Sequence, residues 1–121
     1  MLYRIIIIFF AITFGYGLTQ EIIVETPLGP VAGISKTSAN RKVFYSFLGL
    51  PYAEPPKRFE PSEPKKSWAS EILNATINGK VCPQPQIVYQ FSEMSEDCLF
   101  LNVHTPGYEL KEKFPVLFYI H

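Results

Sequence analysis

Short runs of β-branched and aromatic residues alternate along the chain with polar or turn-forming breaks. Residues 21–25 and 31–35 flank the sequence Pro-Leu-Gly-Pro, so residues 21–35 predict a β-hairpin whose loop is slightly longer than the commonest two residues. After a polar break at residues 38–42, residues 42–50 predict a third strand with frequent aromatic side chains. Three strands with an apolar face are enough for a sheet, so this region predicts a small antiparallel layer.

The last part of the chain, residues 95–121, predicts two further short strands joined by a turn around Pro106 and Gly107. Residues 116–120 are apolar at every position, which is typical of a strand covered on both faces in the middle of an α/β sheet. The helices that would cover it are not in this sequence. We therefore expect the chain to be the opening part, mostly β and loop, of a larger α/β protein.

Prolines dominate the segment between the two predicted sheet regions. Each one fixes φ and removes an amide donor, so an extended surface segment is expected over residues 51–64 instead of a helix or a central strand. A proline-rich ligand for an SH3-type groove is the alternative, but the interleaved Tyr52, Phe59 and Trp68 favour an ordered segment pinned to the protein. Residues 67–71 then predict one helical turn, and residues 83–97 a compact loop of the kind that lies beside binding sites.

Residues 1–19 have the pattern of a secretory signal peptide. A short basic start is followed by an apolar run over residues 5–14 and by small residues that a signal peptidase accepts, which predicts cleavage near Gly17 or Thr19. A membrane anchor is the alternative, but the run is shorter than the roughly 20 residues needed to span a bilayer. The pattern predicts a secreted, extracellular protein with residues 20–121 as its mature part and no membrane span.

Charge and cysteine usage exclude several classes of partner. The chain has 11 basic and 11 acidic residues, and the basic ones are scattered, which argues against nucleic acid or an anionic membrane surface. Its two cysteines, Cys82 and Cys98, favour a disulfide over a metal site, because structural zinc needs four ligands. The bond would close a loop of about fifteen residues and stabilise the fold by roughly 3 kcal/mol. No metal or other cofactor is expected.

One modification motif is present. Asn74, Ala75 and Thr76 form an N-glycosylation sequon. An unmodified polar triplet is the alternative, but a secreted chain passes the glycosylation machinery, so a glycan on Asn74 is expected.

Candidate catalytic residues are few. The nucleophile-elbow pattern Gly-x-Ser-x-Gly is absent, and the nearest sequence, at residues 33–37, lacks the second glycine and falls on a predicted hairpin strand. His104 has no serine or cysteine at a recognisable spacing and is interpreted as an ordinary strand residue. Glu96 and Asp97 are adjacent, so on an extended strand they point opposite ways and cannot act as a general acid and base pair. These residues alone complete no catalytic site.

Three stretches resemble one protein family. Residues 47–56 read Phe-Leu-Gly-Leu-Pro-Tyr-Ala-Glu-Pro-Pro and are followed by Arg58, Phe59 and Trp68; this resembles the opening of the type B carboxylesterase and cholinesterase family. Residues 96–103, Glu-Asp-Cys-Leu-Phe-Leu-Asn-Val, are similar to the second signature of that family. Residues 115–121, Pro-Val-Leu-Phe-Tyr-Ile-His, look like the strand that leads into its His-Gly-Gly-Gly motif. The resemblance covers nearly all of the predicted mature chain.

The resemblance implies an α/β-hydrolase that cleaves carboxylic esters through a serine acyl-enzyme. By position in the motifs it implies a disulfide between Cys82 and Cys98 and a structural ion pair between Arg58 and Glu96. It also makes His121 the first residue of the oxyanion motif, whose donors are backbone amides of glycines that would follow. The nucleophile and its partners would lie downstream as well, so the 121-residue chain is expected to be inactive alone.

Two departures from the family pattern bear on this expectation. Only Lys57 separates the paired prolines from Arg58, where the family usually has several residues including a glycine. The resemblance therefore does not fix the geometry of the pair between Arg58 and Glu96. No tryptophan lies between the cysteines, which argues against a choline ester, because cholinesterases hold the choline ammonium on a tryptophan there.

The resulting hypothesis is an N-terminal fragment of a secreted carboxylesterase for small apolar esters. A non-catalytic, neuroligin-like adhesion member of the same fold is the alternative, and the residue at the downstream elbow distinguishes the two. A short secreted binding protein is disfavoured, because residues 116–120 would expose unpaired backbone and apolar side chains. Acyl preference and oligomeric state are not encoded in these residues.

Overall fold

The computed structural model describes residues 21–85, 94–109 and 113–120. The predicted signal peptide with its cleavage position, and His121, lie outside the described residues. The described chain contains five strands: β1 (Glu21–Thr26), β2 (Gly29–Thr37), β3 (Val43–Pro51), β4 (Leu73–Asn74) and β5 (Phe100–Thr105). They form one sheet in the order β1-β2-β3-β5, with β4 joined to β2 beside this path.

β1 and β2 form the predicted hairpin, with Thr26 paired to Gly29 at its tip. The loop therefore contains only Pro27 and Leu28, and the prediction of a longer loop was wrong. The Thr26 hydroxyl donates to the Gly29 carbonyl at 2.7 Å, and Gly29 has φ of 136°, a value that favours glycine. The strand consequently begins at Gly29, inside the sequence that predicts a turn.

Two strands, β3 and β4, pair with different parts of the same edge of β2. Its C-terminal half pairs antiparallel with β3, from Ile34 opposite Ser46 to Thr37 opposite Val43, whereas Val31 and Ala32 pair in parallel with β4. Ala75, which follows β4, is fully buried. Its amide donates to the Ala32 carbonyl at 2.8 Å, and its carbonyl accepts from the Leu48 amide at 2.8 Å. Residues 73–75 therefore fill the gap where β2 and β3 diverge.

β3 and β5 are antiparallel neighbours with an irregularity in the middle. The pairing shifts between Phe47 and Leu50, so β3 holds one residue more than β5 there, as in a β-bulge. Gly49 lies in this bulge with φ of 67°. Its amide donates to Oδ1 of Asn102 at 2.8 Å, so a side chain on β5 satisfies the donor that the bulge removes from the ladder.

The core lies on one face of this sheet. Val31, Phe47 and Ala75 form its buried centre, and half-buried side chains pack around them: Val24, Tyr45, Leu50, Trp68 and Leu73. Full burial of a valine or phenylalanine side chain, as at Val31 and Phe47, stabilises a fold by about 1.5–3 kcal/mol. The predicted small antiparallel layer, formed mostly of strands and loops, is confirmed.

Two other expectations differ from the structure. Residues 67–71 form a turn instead of a helical turn, with the Glu71 amide donating to the Trp68 carbonyl at 3.2 Å and Ala69 at φ of 55°, outside the helical region. Residues 116–120 are not part of a strand within the described chain. They are exposed, up to 94% at Leu117. A strand requires a neighbour for its backbone groups, and no described strand lies beside them.

Candidate functional site

The two signature stretches lie side by side in the fold. Residues 47–56 contain the end of β3, and residues 96–103 contain the start of β5. Leu50 is opposite Leu101, and the Tyr52 amide donates to the Leu99 carbonyl at 3.2 Å. The Gly49 contact with Asn102 also joins the two stretches. Two motifs that lie about fifty residues apart in the sequence are thus neighbours that pair through their backbones.

The predicted disulfide is present at the base of the second stretch. Cys82 and Cys98 are joined with their Cα atoms 5.0 Å apart. A backbone bridge between Val81 and Met94 lies beside it, and the Ser95 amide donates to the Val81 carbonyl at 2.9 Å. The disulfide and the bridge fix the start of the segment that leads into β5. Most of the predicted loop between the cysteines, residues 86–93, lies outside the described residues.

Arg58 lies beside Glu96, with Nη1 and Oε1 3.3 Å apart. The short spacing after the paired prolines therefore still permits the contact. Both side chains are exposed, at 72% and 64%, and an exposed pair of this kind stabilises a protein by about 0–1 kcal/mol. Arg58 also lies over the Phe59 ring, 5.3 Å from its centroid. A structural role for this pair in a complete domain stays a prediction.

Ser46 and His104 form a pair that the sequence pattern did not indicate. The two residues are opposite each other on β3 and β5, and Ser46 Oγ lies 2.9 Å from His104 Nδ1. A serine beside a histidine is the arrangement that activates a nucleophile. Ser46, however, is fully buried, so a substrate carbonyl cannot reach its oxygen. The contact joins two strands, and only the strand register, which depends on long-range pairing, could have indicated it.

An apolar cleft of about 460 Å³ opens on the core face of the sheet. Trp68 and Tyr52 lie at its proline-rich side, and Tyr108 lies at the end of β5. Its remaining lining is mainly aliphatic and aromatic, from β1, β2, β3 and β5: Val24, Val31, Phe47, Leu50, Leu101 and Val103. Among the described residues, no Asp, Glu, Lys, Arg or His lines it, so this surface can hold apolar groups but offers them no charged side chain.

No three His, Cys, Asp or Glu side chains of residues 21–85, 94–109 and 113–120 are grouped so that they could hold a metal ion. Within the same residues, no helix has the length and hydrophobicity needed to cross a membrane. Asn74 of the sequon lies on β4 and is exposed. His121, expected to begin the oxyanion motif, lies outside the described residues.

The model of the carboxylesterase family matches residues 20–121. The chain belongs to the carboxylesterase family. The match includes both signature stretches and all five strands, so the family resemblance predicted from the motifs is confirmed.

Individual relatives agree with this assignment. Juvenile hormone esterase of Tribolium castaneum is 40% identical over 106 residues, which are 82% of this chain and 18% of the relative. Para-nitrobenzyl esterase of Bacillus subtilis is 36% identical over 107 residues, covering 82% of this chain and 20% of that protein. The chain thus spans about a fifth of the length of the curated relatives that it matches.

The structural comparison gives the same family. The crystal structure of juvenile hormone esterase from Manduca sexta, with OTFP covalently attached, superposes with a TM-score of 0.66 at 34% identity, over 74% of this chain and 18% of that one. The structural neighbours are α/β-hydrolases. The predicted fold class is therefore confirmed: the described sheet of this carboxylesterase-family chain corresponds to part of an α/β-hydrolase.

Proposed function

We propose that this chain is the N-terminal part of a secreted carboxylesterase that hydrolyses small apolar esters through a serine acyl-enzyme. The observation that carries the proposal is the family match over residues 20–121. It is supported by relatives named as juvenile hormone and para-nitrobenzyl esterases. Secretion is supported by the signal-like residues 1–19 and by the disulfide, because disulfides persist mainly in oxidising compartments.

The role proposed for this part of the enzyme is structural. Its described residues form a sheet with an apolar face. Ser46 contacts His104 but is fully buried, so a substrate cannot reach it. Ester hydrolysis needs an accessible nucleophile, a base and donors for the oxyanion. We propose that downstream residues supply these groups, and that the 121-residue chain alone does not hydrolyse esters.

Two features of the chain support the proposal of a neutral ester over a choline ester. Its only tryptophan is Trp68, which lies on the core side of the sheet and donates to the Pro30 carbonyl at 2.9 Å. It therefore holds the fold together and is not free to receive a quaternary ammonium. The segment between the cysteines contains no tryptophan that could do so, so a neutral ester is proposed over a choline ester.

The test compares two secreted proteins from the same insect-cell host. One is the 121-residue chain, and the other is the product of the transcript read through the His121 codon. Hydrolysis of p-nitrophenyl butyrate and labelling by a fluorophosphonate, which reacts with activated serines, are measured for both. We expect turnover and labelling of the longer product only.

The other outcomes would change the proposal. Labelling of the short chain would show a nucleophile within it, and a Ser46→Ala variant would then identify or exclude Ser46. A longer reading frame with another residue in place of the elbow serine would favour the non-catalytic adhesion alternative. A transcript that ends at codon 121 in full-length reads would contradict the proposed esterase.

A further inference from the structure

The backbone of the sequon at residues 74–76 is hydrogen-bonded to two strands of the sheet. Its middle residue, Ala75, is fully buried between β2 and β3 and hydrogen-bonds to both strands through its backbone. Successive side chains of an extended segment point to opposite sides. Because Ala75 points into the core, the preceding side chain of Asn74 points away from it and is exposed, whereas Thr76 lies at the bend that follows and is half-buried.

The side chains of Asn74 and Thr76 are hydrogen-bonded to each other. The Thr76 hydroxyl donates to Oδ1 of Asn74 at 2.7 Å, and the Thr76 amide donates to the same oxygen at 3.1 Å. Both contacts use the amide oxygen. The amide nitrogen Nδ2, to which an N-linked sugar is attached, makes no hydrogen bond among the described residues.

From this geometry we propose that Asn74 carries an N-linked glycan in the mature protein. In the transfer, Nδ2 forms a bond to C1 of the sugar and loses a proton, while the bond from C1 to the phosphate of a lipid-linked oligosaccharide diphosphate breaks. A sugar on Nδ2 leaves both Oδ1 contacts and both Ala75 backbone contacts in place. The folded chain therefore accommodates the product without rearrangement.

The neighbourhood of Asn74 gives the glycan a physical role. Ile72 is 54% exposed and Ile77 is 72% exposed, and they lie just before and just after the sequon. Exposed apolar groups favour association between molecules. A bulky, solvated glycan between them would hinder such contacts, so its loss is expected to lower the yield of soluble protein.

The proposal rests on entry into the secretory pathway, so the experiment measures entry and modification separately. The full chain is translated in vitro with microsomes. Protease protection reports import, and a mobility shift removed by an N-glycan-specific amidase reports the glycan. We expect one such shift in the protected product, and conversion of Asn74 to Asp by the amidase, detected by peptide mass spectrometry.

Three variants make the assignment specific. Asn74→Gln and Thr76→Val should both abolish the shift, and the valine retains the shape of threonine without its hydroxyl. Asn78→Gln is the matched control, because Asn78 is exposed on the same segment but is followed by Gly79 and Lys80 instead of a sequon. It should retain the shift.

A second arm places a well-characterised signal sequence ahead of residue 20. A protected product without a shift in this arm would overturn the glycan and leave the proposed secretion standing. Protection and shift in this arm only would retain the acceptor site and contradict the proposed signal peptide. A shift that survives Asn74→Gln would also overturn the assignment.

Discussion

Gly49 shows how one residue determines the geometry between the two signature stretches. Its φ of 67° lies in the left-handed region, which costs a residue with a side chain about 1–2 kcal/mol. A Cβ at this position would lie 2.8 Å from the Gly79 nitrogen and the Ile77 oxygen, which are backbone atoms that cannot move aside as a flexible side chain can. The glycine of the Phe-Leu-Gly-Leu-Pro stretch is therefore required by the bulge.

Replacement of Gly49 by Ala is expected to destabilise the chain by at least about 1–2 kcal/mol, with a further cost from the backbone contacts. The measurement is the urea midpoint, followed by fluorescence of Trp68, the single tryptophan. Gly107→Ala is the matched control, because its Cβ would only approach the Phe114 ring at 3.3 Å. Its effect should be smaller, because a side-chain ring can shift where backbone atoms cannot and because Gly107 has no left-handed φ. Equal effects of the two variants would contradict the role assigned to the bulge.

Glu54 gives the fold a specific dependence on pH. Its carboxylate accepts from the Lys66 amide at 3.0 Å and from the Lys65 ammonium at 2.9 Å. These contacts lower the pKa of Glu54 below its ordinary value of 4.5, the backbone hydrogen bond first and the lysine second. Because the folded chain favours the carboxylate, the stabilisation is complete above the unfolded pKa and is lost as pH falls through the lower, folded pKa.

A Glu54→Gln variant should therefore be less stable than the parent chain at neutral pH, and the difference should shrink as pH falls below about 4.5. Urea midpoints of both proteins between neutral and acidic pH test this. Glu60→Gln changes an exposed glutamate of the same segment, which makes no hydrogen bond through its carboxylate among the described residues, and should follow the parent. A constant difference between Glu54→Gln and parent would refute the linkage.

At the scale of elements, local patterns predicted the strands better than the way in which they join. The hairpin and β3 were predictable because alternating residues and turn sequences act over short distances. The insertion of residues 73–75 between β2 and β3 could not be predicted from local pattern, because it depends on backbone hydrogen bonds to Ala32 and Leu48, which are distant in the sequence. The Ser46–His104 contact, with a sequence separation of 58, depends in the same way on a register that only the folded sheet defines.

The proline-rich segment is another element whose role appears only in the fold. Trp68 lies half-buried against the core, and its ring would occupy the space of any side chain at Gly29. The Trp68 amide donates to the Leu28 carbonyl at 2.9 Å, and the Ser67 hydroxyl donates to the same oxygen at 2.7 Å. The prediction that aromatic residues pin this segment holds for Trp68, whereas Phe59 is 95% exposed.

Removing the indole hydrogen bond should loosen this attachment. Trp68→Phe keeps an aromatic ring but leaves the Pro30 carbonyl without its 2.9 Å donor, a loss expected to cost about 1–3 kcal/mol. The urea midpoint followed by circular dichroism measures it, because the fluorescent residue is lost. Ser67→Ala removes an exposed contact to the same turn and should cost less. A larger effect of Ser67→Ala would show that the Ser67 hydroxyl holds the turn more strongly than the indole does.

At the scale of the whole molecule, the described chain presents two apolar surfaces to solvent. One is the cleft on the core face of the sheet, and the other is the segment 114–120, where Val116 is 90% exposed and Phe118 is 76% exposed. The composition of this segment predicted a buried strand. Within the described residues the segment is neither a strand nor buried, because no described strand lies beside it to pair with its backbone.

Exposed apolar surface of this extent should make the isolated chain associate. We expect its apparent mass in size-exclusion chromatography with light scattering to rise with concentration, because burying residues 114–120 between molecules removes apolar area from water at about 25 cal/mol per Å². Val116→Lys combined with Phe118→Lys should reduce the association, since charged side chains oppose edge pairing. Tyr52→Lys, at an exposed aromatic of the cleft, distinguishes the two surfaces. A chain that stays monomeric at high concentration, with a sharp thermal transition, would show that these residues need no partner and would contradict the proposal that they belong inside a larger esterase domain.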